Sequence, residues 1–351
     1  MSDRLFISLM PYLKHKSGHD CIYHHHVKEA IDAQGIDYVG YISSDCTLSD
    51  LPTCWNKWFS DAGPGPSIFK RLKRRYCDFA GIFKKSTDKQ RIFFIETFSK
   101  LDLAALLLSV LWHSRRSDTF WLLFRYPNVH SYRMLSRLLH KKLGSRLICL
   151  TDSEKIGETF KGLPFQPFVW PIPHTRSVQA LQRQGIICWW PGPPRETKGW
   201  DDIRRLTQLK DPFAKYFTLV VAQSSGLTNA ELIPDQLSED EYTQKLSECH
   251  VVLLPYDPKQ YSASTSGIFV EAVVANKIPL VKEGTWMAYE LKRFDLHELI
   301  VDWNRSDFFS SIQGLLENGE IKRKLGLMQR SYANFHNPEQ FQKSVAAVIR
   351  E

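Results

Sequence analysis

At 351 residues the chain exceeds the size at which one hydrophobic core usually stops growing, and its 43% hydrophobic content is enough to fill two cores, which excludes a largely disordered protein. The net charge of +8 suits a protein that meets anions, whether nucleotide sugars, lipid phosphates or nucleic acid, and does not choose among them. Cysteines stand at 21, 46, 54, 77, 149, 188 and 249 without a Cys-x-x-Cys pair, so neither a zinc site nor a disulfide framework is signalled and a reducing, cytoplasmic location is expected.

In chain order, an apolar strand is predicted at 5–10, too short for the central region of a signal peptide. A helix follows at 23–33, opened by His24-His25-His26. Consecutive helical residues point in different directions and cannot close one metal site, so a solvated or internally satisfied helix start is expected. Strands at 38–42 and 91–96, a helix at 101–113, a strand at 119–124, a helix at 131–142 and a strand at 146–150 complete the first half. Its longest apolar run, 103–112, falls short of the roughly 20 residues that span a bilayer and reads as a buried helix. Strands alternating with helices argue for a parallel, doubly wound α/β sheet. Pro167, Pro171 and Pro173 then stiffen an extended crossing at 165–173, where the domain boundary is expected. The second half repeats the alternation from Ile186 to about Leu316, with strands at 216–222 and 251–256 and a helix at 240–249. Helices at 321–332 and 338–350 end the chain.

One segment of the first half stands apart. Between Gly63-Pro64-Gly65-Pro66 and Thr87, Ile68, Phe69, Leu72, Tyr76, Phe79 and Phe83 follow helical spacing, while Lys70, Arg71, Lys73, Arg74, Arg75, Lys84 and Lys85 fill other positions. This is the pattern of a basic amphipathic helix, and residues 68–85 are expected to make a peripheral contact with the inner face of a membrane. The alternative is that the apolar stripe packs on the domain's own sheet and the basic side is a solvated face. No aromatic-rich strand or recognised module accompanies the charge, so nucleic acid is not an expected partner.

The segments that carry chemistry follow predicted strands. After the apolar run Val251-Val252-Leu253-Leu254-Pro255-Tyr256 comes Tyr261-Ser262-Ala263-Ser264-Thr265-Ser266-Gly267-Ile268-Phe269-Val270-Glu271-Ala272. A strand, a loop of small hydroxyl residues and a helix start make a unit that meets a polyanion, the hydroxyls and the helix N-terminus facing phosphate. Glu271, predicted on the first turn of that helix, then accepts hydrogen bonds from sugar hydroxyls of a nucleotide. Its alternative role is stabilisation of the helix dipole, about 0.3 to 1 kcal/mol. Arg125 ends the strand at 119–124, where ligands gather in open α/β sheets, with ordinary surface pairing as the alternative. His19, next to Gly18, is a site candidate by position, with helix capping as its alternative.

The ordered set resembles GT-B glycosyltransferases of the family 4 type over most of the chain. Ile186-Ile187-Cys188-Trp189-Trp190-Pro191-Gly192-Pro193-Pro194-Arg195-Glu196-Thr197-Lys198-Gly199-Trp200 is similar to the family's strand, glycine-containing loop and Lys-Gly helix start, Lys198 matching its diphosphate-binding lysine. A solvated first-turn lysine is the alternative. Ser17-Gly18-His19 stands where the family has its glycine-rich loop. The resemblance implies two Rossmann-like domains facing across a cleft: an acceptor domain at 1–170, a nucleotide-sugar donor domain at 171–325, and a C-terminal helix, 326–351, crossing back to the first domain. It implies a transferase that moves a sugar from a nucleotide-diphosphate sugar to a glycan or lipid-linked acceptor with retention, without an obligatory metal and with no cofactor beyond the donor. His19, Arg125 and Lys198 are the implied catalytic residues. Gly18, Arg195, Lys198, Ser264, Thr265, Ser266, Gly267, Ile268 and Glu271 are the implied donor ligands.

The sequence departs from the family at defined places. Many members carry two glutamates, the second matching Glu271, and the position of the first is Ala263. The family's loop arginine falls at Pro193, which leaves Arg195 as a shifted substitute. A nucleotide-binding protein without turnover therefore stays open. A dinucleotide oxidoreductase would share the alternation, but no Gly-x-Gly-x-x-Gly follows the first strand.

Overall fold

The computed structural model describes residues 2–14, 19–49, 51–60, 67–125, 129–173, 175, 178 and 185–350. The chain divides into two compact units, Met1–Pro173 with Phe341–Glu351, and His174–Gln340.

In the first unit the elements are β1 (Arg4–Met10), α1 (His19–Asp32), β2 (Asp37–Ser43), β3 (Trp55–Phe59), α2 (Ile68–Phe83), β4 (Gln90–Ile95), α3 (Lys100–His113), β5 (Thr119–Phe124), α4 (Val129–Leu143), β6 (Leu147–Thr151), α5 (Glu154–Thr159) and β7 (Phe168–Val169). The strands pair in parallel in the order β3-β2-β1-β4-β5-β6-β7. The inner strands β4, β5 and β6 are near-continuous apolar runs, as strands covered on both faces require. Phe93 and Phe94 of β4 show the two faces. Phe94 joins a core with Phe6, Tyr23, Trp121 and Trp170, whereas Phe93 lies 4.6 Å from Phe83 of α2 and 5.0 Å from Phe120 of β5, between ring centres. Arg91 and Asp118 are buried together at the base of this second face. Two guanidinium bonds of 2.8 and 2.7 Å reach Asp118, and a third of 2.7 Å reaches the Phe83 carbonyl.

The second unit contains β8 (Ile186–Trp189), α6 (Trp200–Leu206), β9 (Phe217–Ala222), β10 (Glu231–Ile233), α7 (Glu239–Glu248), β11 (Val251–Leu254), α8 (Pro258–Tyr261), α9 (Gly267–Val274), β12 (Ile278–Val281), α10 (Trp286–Arg293), α11 (Phe308–Glu317) and α12 (Gly319–Phe335). Its strands are parallel in the order β10-β9-β8-β11-β12, so β8 is flanked by β9 on one side and β11 on the other. Loops leaving the C-terminal ends of β8 and β11 therefore diverge across the switch point, where open α/β sheets bind ligands.

Several expectations shift. The boundary near 326 moves to Gln340/Phe341, because α12 packs on α9 through Tyr332 against Phe269 and a 3.2 Å bond from Gln329 to the Val274 carbonyl. Only α13 (Pro338–Arg350) enters the first unit, where Phe341 sits 5.6 Å from Tyr23 and 5.3 Å from Trp170. The first stretch of the first unit ends at Pro173, within the 165–173 crossing where the boundary was expected, and the crossing itself is packed. Phe168–Val169 pairs with β6, and Trp170 and Ile172 are buried.

Of residues 68–85, Ile68–Phe83 form a helix capped by Ser67, but it is not free along its length. Asp78, Phe79, Ala80, Ile82 and Phe83 are buried in the unit. Arg75 pairs with Asp102 at 2.7 Å and lies over Phe59, and Lys85 lies over Trp58 at 4.5 Å. Arg75 is thus not available to an external anion as expected; the exposed basic residues are Lys70, Arg71, Lys73 and Arg74 in the first half of the helix and Lys84 and Lys85 just past its end, Lys85 resting on Trp58. The run at 103–112 is helical within α3, yet Leu108, Leu111 and Trp112 are exposed, so it is buried on one side only. Among the described residues no helix is long and apolar enough to cross a membrane.

Candidate functional site

In the second unit, the loop after β8 carries Gly192, Arg195 and Lys198 and ends at Gly199, a left-handed residue that starts α6. The loop after β11 carries Tyr256, Asp257 and Ser264 to Ser266, and Ser266 caps α9 by accepting from Phe269 N at 3.3 Å. The two loops are tied together, because Asp257 N donates to the Thr197 carbonyl at 3.0 Å. Trp190 stacks on Trp200 at 5.7 Å and donates its indole N–H to the Lys198 carbonyl at 3.1 Å, which fixes the lysine's backbone.

The Lys198 ammonium stands 5.5 Å above the Tyr256 ring and 3.7 Å from where a Cβ on Gly192 would be. Burial lowers its pKa from the ordinary lysine range, and the nearby Arg195 guanidinium acts in the same direction. Tyr256 is buried, and burial raises its pKa while interaction with Ser266 acts the other way. Arg195 itself is exposed. Ser264 is buried, and its hydroxyl has no hydrogen-bond partner among the described residues. A partly desolvated cation, a hydroxyl without a partner among the described residues and the first amides of a helix are the ingredients of an anion site.

Glu271 departs from its expected position. It lies on the second turn of α9, whose first turn holds no acidic residue, and it is buried. Its carboxylate accepts a 2.5 Å bond from the hydroxyl of Tyr242 on α7. Burial first, and then the Glu271 charge, push the Tyr242 pKa well up, so the phenol stays the donor. Tyr242 in turn lies 5.1 Å from Trp189 at the end of β8. On the second turn a helix dipole acts on Glu271 less than it would on the first. Thr265, Gly267 and Ile268 occupy the loop end and first turn of α9 and are partly exposed.

In the first unit, the C-terminal ends of β4, β5 and β6 present Glu96, Arg125 and Asp152 side by side. Arg125 binds Glu96 Oε1, approaches Asp152 Oδ2 at 3.1 Å and lies 4.4 Å above the Tyr23 ring. On its other side Glu96 Oε2 meets His24 Nε2 at 2.5 Å, and His24 Nδ1 meets the Ser8 hydroxyl at 3.1 Å. Burial works to raise the Glu96 pKa, but Arg125 and His24 outweigh it and hold the carboxyl below its ordinary value. The histidine tract is thus satisfied internally. His24 turns inward, His25 lies against Trp55 and His26 pairs with Glu29. His19 is the first residue of α1, but its side chain, with the whole of Gly18, lies outside the described residues.

Sequence reasoning expected the histidine tract to be satisfied but did not single out Tyr242, Tyr256 or Glu96 as partners at these sites. Only the Glu96 position, one residue beyond an apolar strand, carried a signal. Among the described residues no group of His, Cys, Asp and Glu is arranged to hold a metal ion. A cavity of about 500 Å³ beyond β12 is lined by Lys282, Glu283, Lys292, His297 and Trp303, and no candidate site residue lines it. Lys282 there pairs with Asp202 and Lys292 with Glu283.

No family model matches the chain, and no curated protein matches it in sequence. Solved structures do match. Sucrose-phosphate synthase from Thermosynechococcus elongatus is similar over 99% of this chain and 98% of its own, with a TM-score of 0.72 at 14% identity. The chain has a GT-B fold. Trehalose-6-phosphate synthase, in a structure addressing glycosyl transfer with retention, shares this fold over 100% and 99% of the two chains, with a TM-score of 0.65 at 10% identity. An E. coli structure described as trehalose-6-phosphate bound with UDP-2-fluoro glucose does so over 99% of each chain, with a TM-score of 0.65 at 10% identity. In a GT-B fold two doubly wound sheets are expected, and both sheets here collect their polar candidates at strand C-termini.

Proposed function

We propose that this protein is a glycosyltransferase that takes a sugar from a nucleotide-diphosphate sugar. The observation that carries the reading is that the partly buried Lys198 and the buried Ser264 hydroxyl, which has no partner among the described residues, stand on the loops after β8 and β11 that the Asp257–Thr197 bond ties together. Breaking the anomeric bond leaves negative charge on the diphosphate, so positive groups and dipoles fixed before the reaction lower the barrier most. Lys198 and Arg195 supply the charge in this reading. Ser264, Thr265, Ser266 and the amides of Gly267 and Ile268 supply hydrogen bonds. Glu271, held by Tyr242, receives the ribose hydroxyls.

The acceptor, a glycan or a lipid-linked sugar, is assigned to the first unit, with Arg125 oriented by Glu96 and Asp152 and with His19, the first residue of α1, and Gly18, which precedes it in the sequence. Retention of configuration and independence from metal are carried by the family 4 resemblance. Retention is supported also by the likeness to trehalose-6-phosphate synthase, whose structure addresses glycosyl transfer with retention. A peripheral membrane contact through the exposed first half of α2 belongs to the same reading. Ala263 and Pro193 favour a second reading, a nucleotide-binding protein that turns nothing over.

A thermal-shift series with UDP-, GDP-, dTDP- and CMP-sugars, followed by a transfer assay, tests both. A ligand at 100 times its Kd adds about 2.7 kcal/mol of stability. Stabilisation by one donor with release of nucleoside diphosphate supports the transferase. Stabilisation without release or hydrolysis selects the binding protein, and no stabilisation by any donor overturns both.

A further inference from the structure

On one face of the first sheet α3 packs between α2 and α4, and the outer surface of these three helices is both apolar and basic. Trp112 is 75% exposed and Leu111 46% exposed on α3, and Met134 is 68% exposed and Leu138 44% exposed on α4. Leu108, Leu111 and Trp112 stand three and four residues apart, as do Met134, Arg137, Leu138 and Lys141, so each set shares one side of its helix. Ile68 and Phe69, on the first turn of α2, are 66% and 78% exposed. Scattered exposed apolar residues need no explanation, but a ridge shared by adjacent helices marks an interaction surface.

The charge on this face chooses the partner. The acidic residues of the three helices are Asp78 and Asp102; both are buried, and both face Arg75. Exposed carboxylates are therefore missing from all three helices, while Lys70, Arg71 and Lys73 on α2 and Arg137, Lys141 and Lys142 on α4 are exposed. Two copies of the chain meeting through this face would bring like charges together. An anionic bilayer satisfies both features, taking the ridge among its acyl chains and the flanking cations at its headgroups. Trp112, followed by His113, Arg115 and Arg116, has the amphipathic setting that aromatic residues occupy at a membrane interface.

We infer that the α2–α3–α4 face is a seat for an anionic bilayer, with the ridge of Leu111, Trp112, Met134 and Leu138 entering the lipid. The inference rests on the peripheral-contact reading of α2 and assigns the insertion to residues outside 68–85. Binding of such a face scales with the apolar area it buries plus its attraction to anionic lipids, and the two are supplied here by the ridge and the flanking cations.

The test is co-sedimentation of the full chain with phosphatidylcholine vesicles with and without phosphatidylglycerol, at low and high salt. The native protein should bind the anionic vesicles. Leu111→Ser with Trp112→Ser should weaken binding at least tenfold while leaving the melting temperature and nucleotide affinity unchanged, since both side chains are already exposed. Lys70→Gln with Arg71→Gln and Lys73→Gln should weaken it and flatten its salt dependence. If the Leu111/Trp112 variant binds like the native chain, the ridge assignment is overturned while the α2 reading stands. If the native chain binds no anionic vesicle, both are overturned. If it instead forms dimers that Trp112→Ser disperses, the face belongs to self-association. Nucleotide binding, measured separately, decides the transferase reading whichever outcome holds.

Discussion

Gly199 crosses Pro255 so closely that a Cβ on the glycine would stand 2.2 Å from the proline carbonyl oxygen, and its φ of +80° is a conformation that side chains resist. The crossing is where the two anion-binding loops are held in register. Gly199→Ala should therefore lower stability by more than the roughly 1 to 2 kcal/mol of left-handed strain alone, and should weaken any nucleotide that depends on Lys198. Denaturant unfolding and titration calorimetry on the same variant check both. An alanine variant with native stability and native nucleotide affinity would show that the loops are not fixed by this contact.

Lys198 gives a prediction of opposite sign for stability. A lysine whose pKa is lowered on folding is penalised as a cation in the folded state, so stability rises with pH between the lowered value and the unfolded value near 10.4. Lys198→Met should accordingly be at least as stable as the native chain at neutral pH. It should lose about 1.5 to 3 kcal/mol of affinity for a nucleoside diphosphate, the contribution of a charged hydrogen bond, and much less for the nucleoside. Melting curves at neutral and alkaline pH, with calorimetry for the two ligands, measure each part.

Glu96 behaves in the reverse sense. Its carboxyl titrates lower in the folded state, so the stability it contributes is fully present above the unfolded value of about 4.3 and is lost as pH falls through the folded value. Glu96→Gln should flatten the acid side of the stability profile below about pH 4.3. Glu96→Ala, which removes the hydrogen-bond acceptors as well as the charge, should cost about 3 to 5 kcal/mol, because Arg125 and His24 would be left with no partner between them at this position. Unfolding followed from pH 7 to pH 3 distinguishes the two variants.

Periodicity made the long elements legible. The strand at 119–124 and the helix at 338–350 coincide with β5 and α13, because apolar spacing and a proline or polar flank define their ends. The short edge strands β3 and β10 were not legible. Asn56 and Lys57 in one and Glu231 in the other break the apolar run, since an edge strand has one solvated side. In α2 the period identified an apolar stripe but not which half of it a neighbouring helix covers; that depends on Arg75 reaching Asp102 of α3. The same limit applied at the site. Turn chemistry placed Lys198 and Ser264 on loops after strands, but the partners of Glu271 and His24 come from distant elements, α7 and β4, that no local pattern connects.

The partner that α7 provides can be removed singly. Tyr242→Phe deletes the hydroxyl that donates to Glu271 and leaves the ring against Trp189. A buried carboxylate that loses one donor costs about 1 to 3 kcal/mol, so the variant should be destabilised without loss of the core. If Glu271 receives ribose hydroxyls, bound nucleotide should recover part of that loss, and the stabilisation by ligand should be larger in the variant than in the native chain. Equal stabilisation of the two would remove Glu271 from the nucleotide site.

Ser264 provides the sharpest separation of binding from folding. Its hydroxyl is buried without a partner among the described residues, at the loop that leads into α9. An unpaired buried hydroxyl is a cost to the free protein, so Ser264→Ala should leave the melting temperature unchanged or raise it. With a diphosphate present the same hydroxyl becomes a donor, and its loss should weaken binding by about 0.5 to 1.5 kcal/mol, the net contribution of one hydrogen bond. Ser264→Thr, which restores the hydroxyl and adds a methyl group, should recover affinity if the loop admits the extra volume. The measurement is paired: melting of the free variants, then calorimetry with nucleoside diphosphate. A Ser264→Ala chain that melts lower but binds as before would place this hydroxyl in the fold and not in the site.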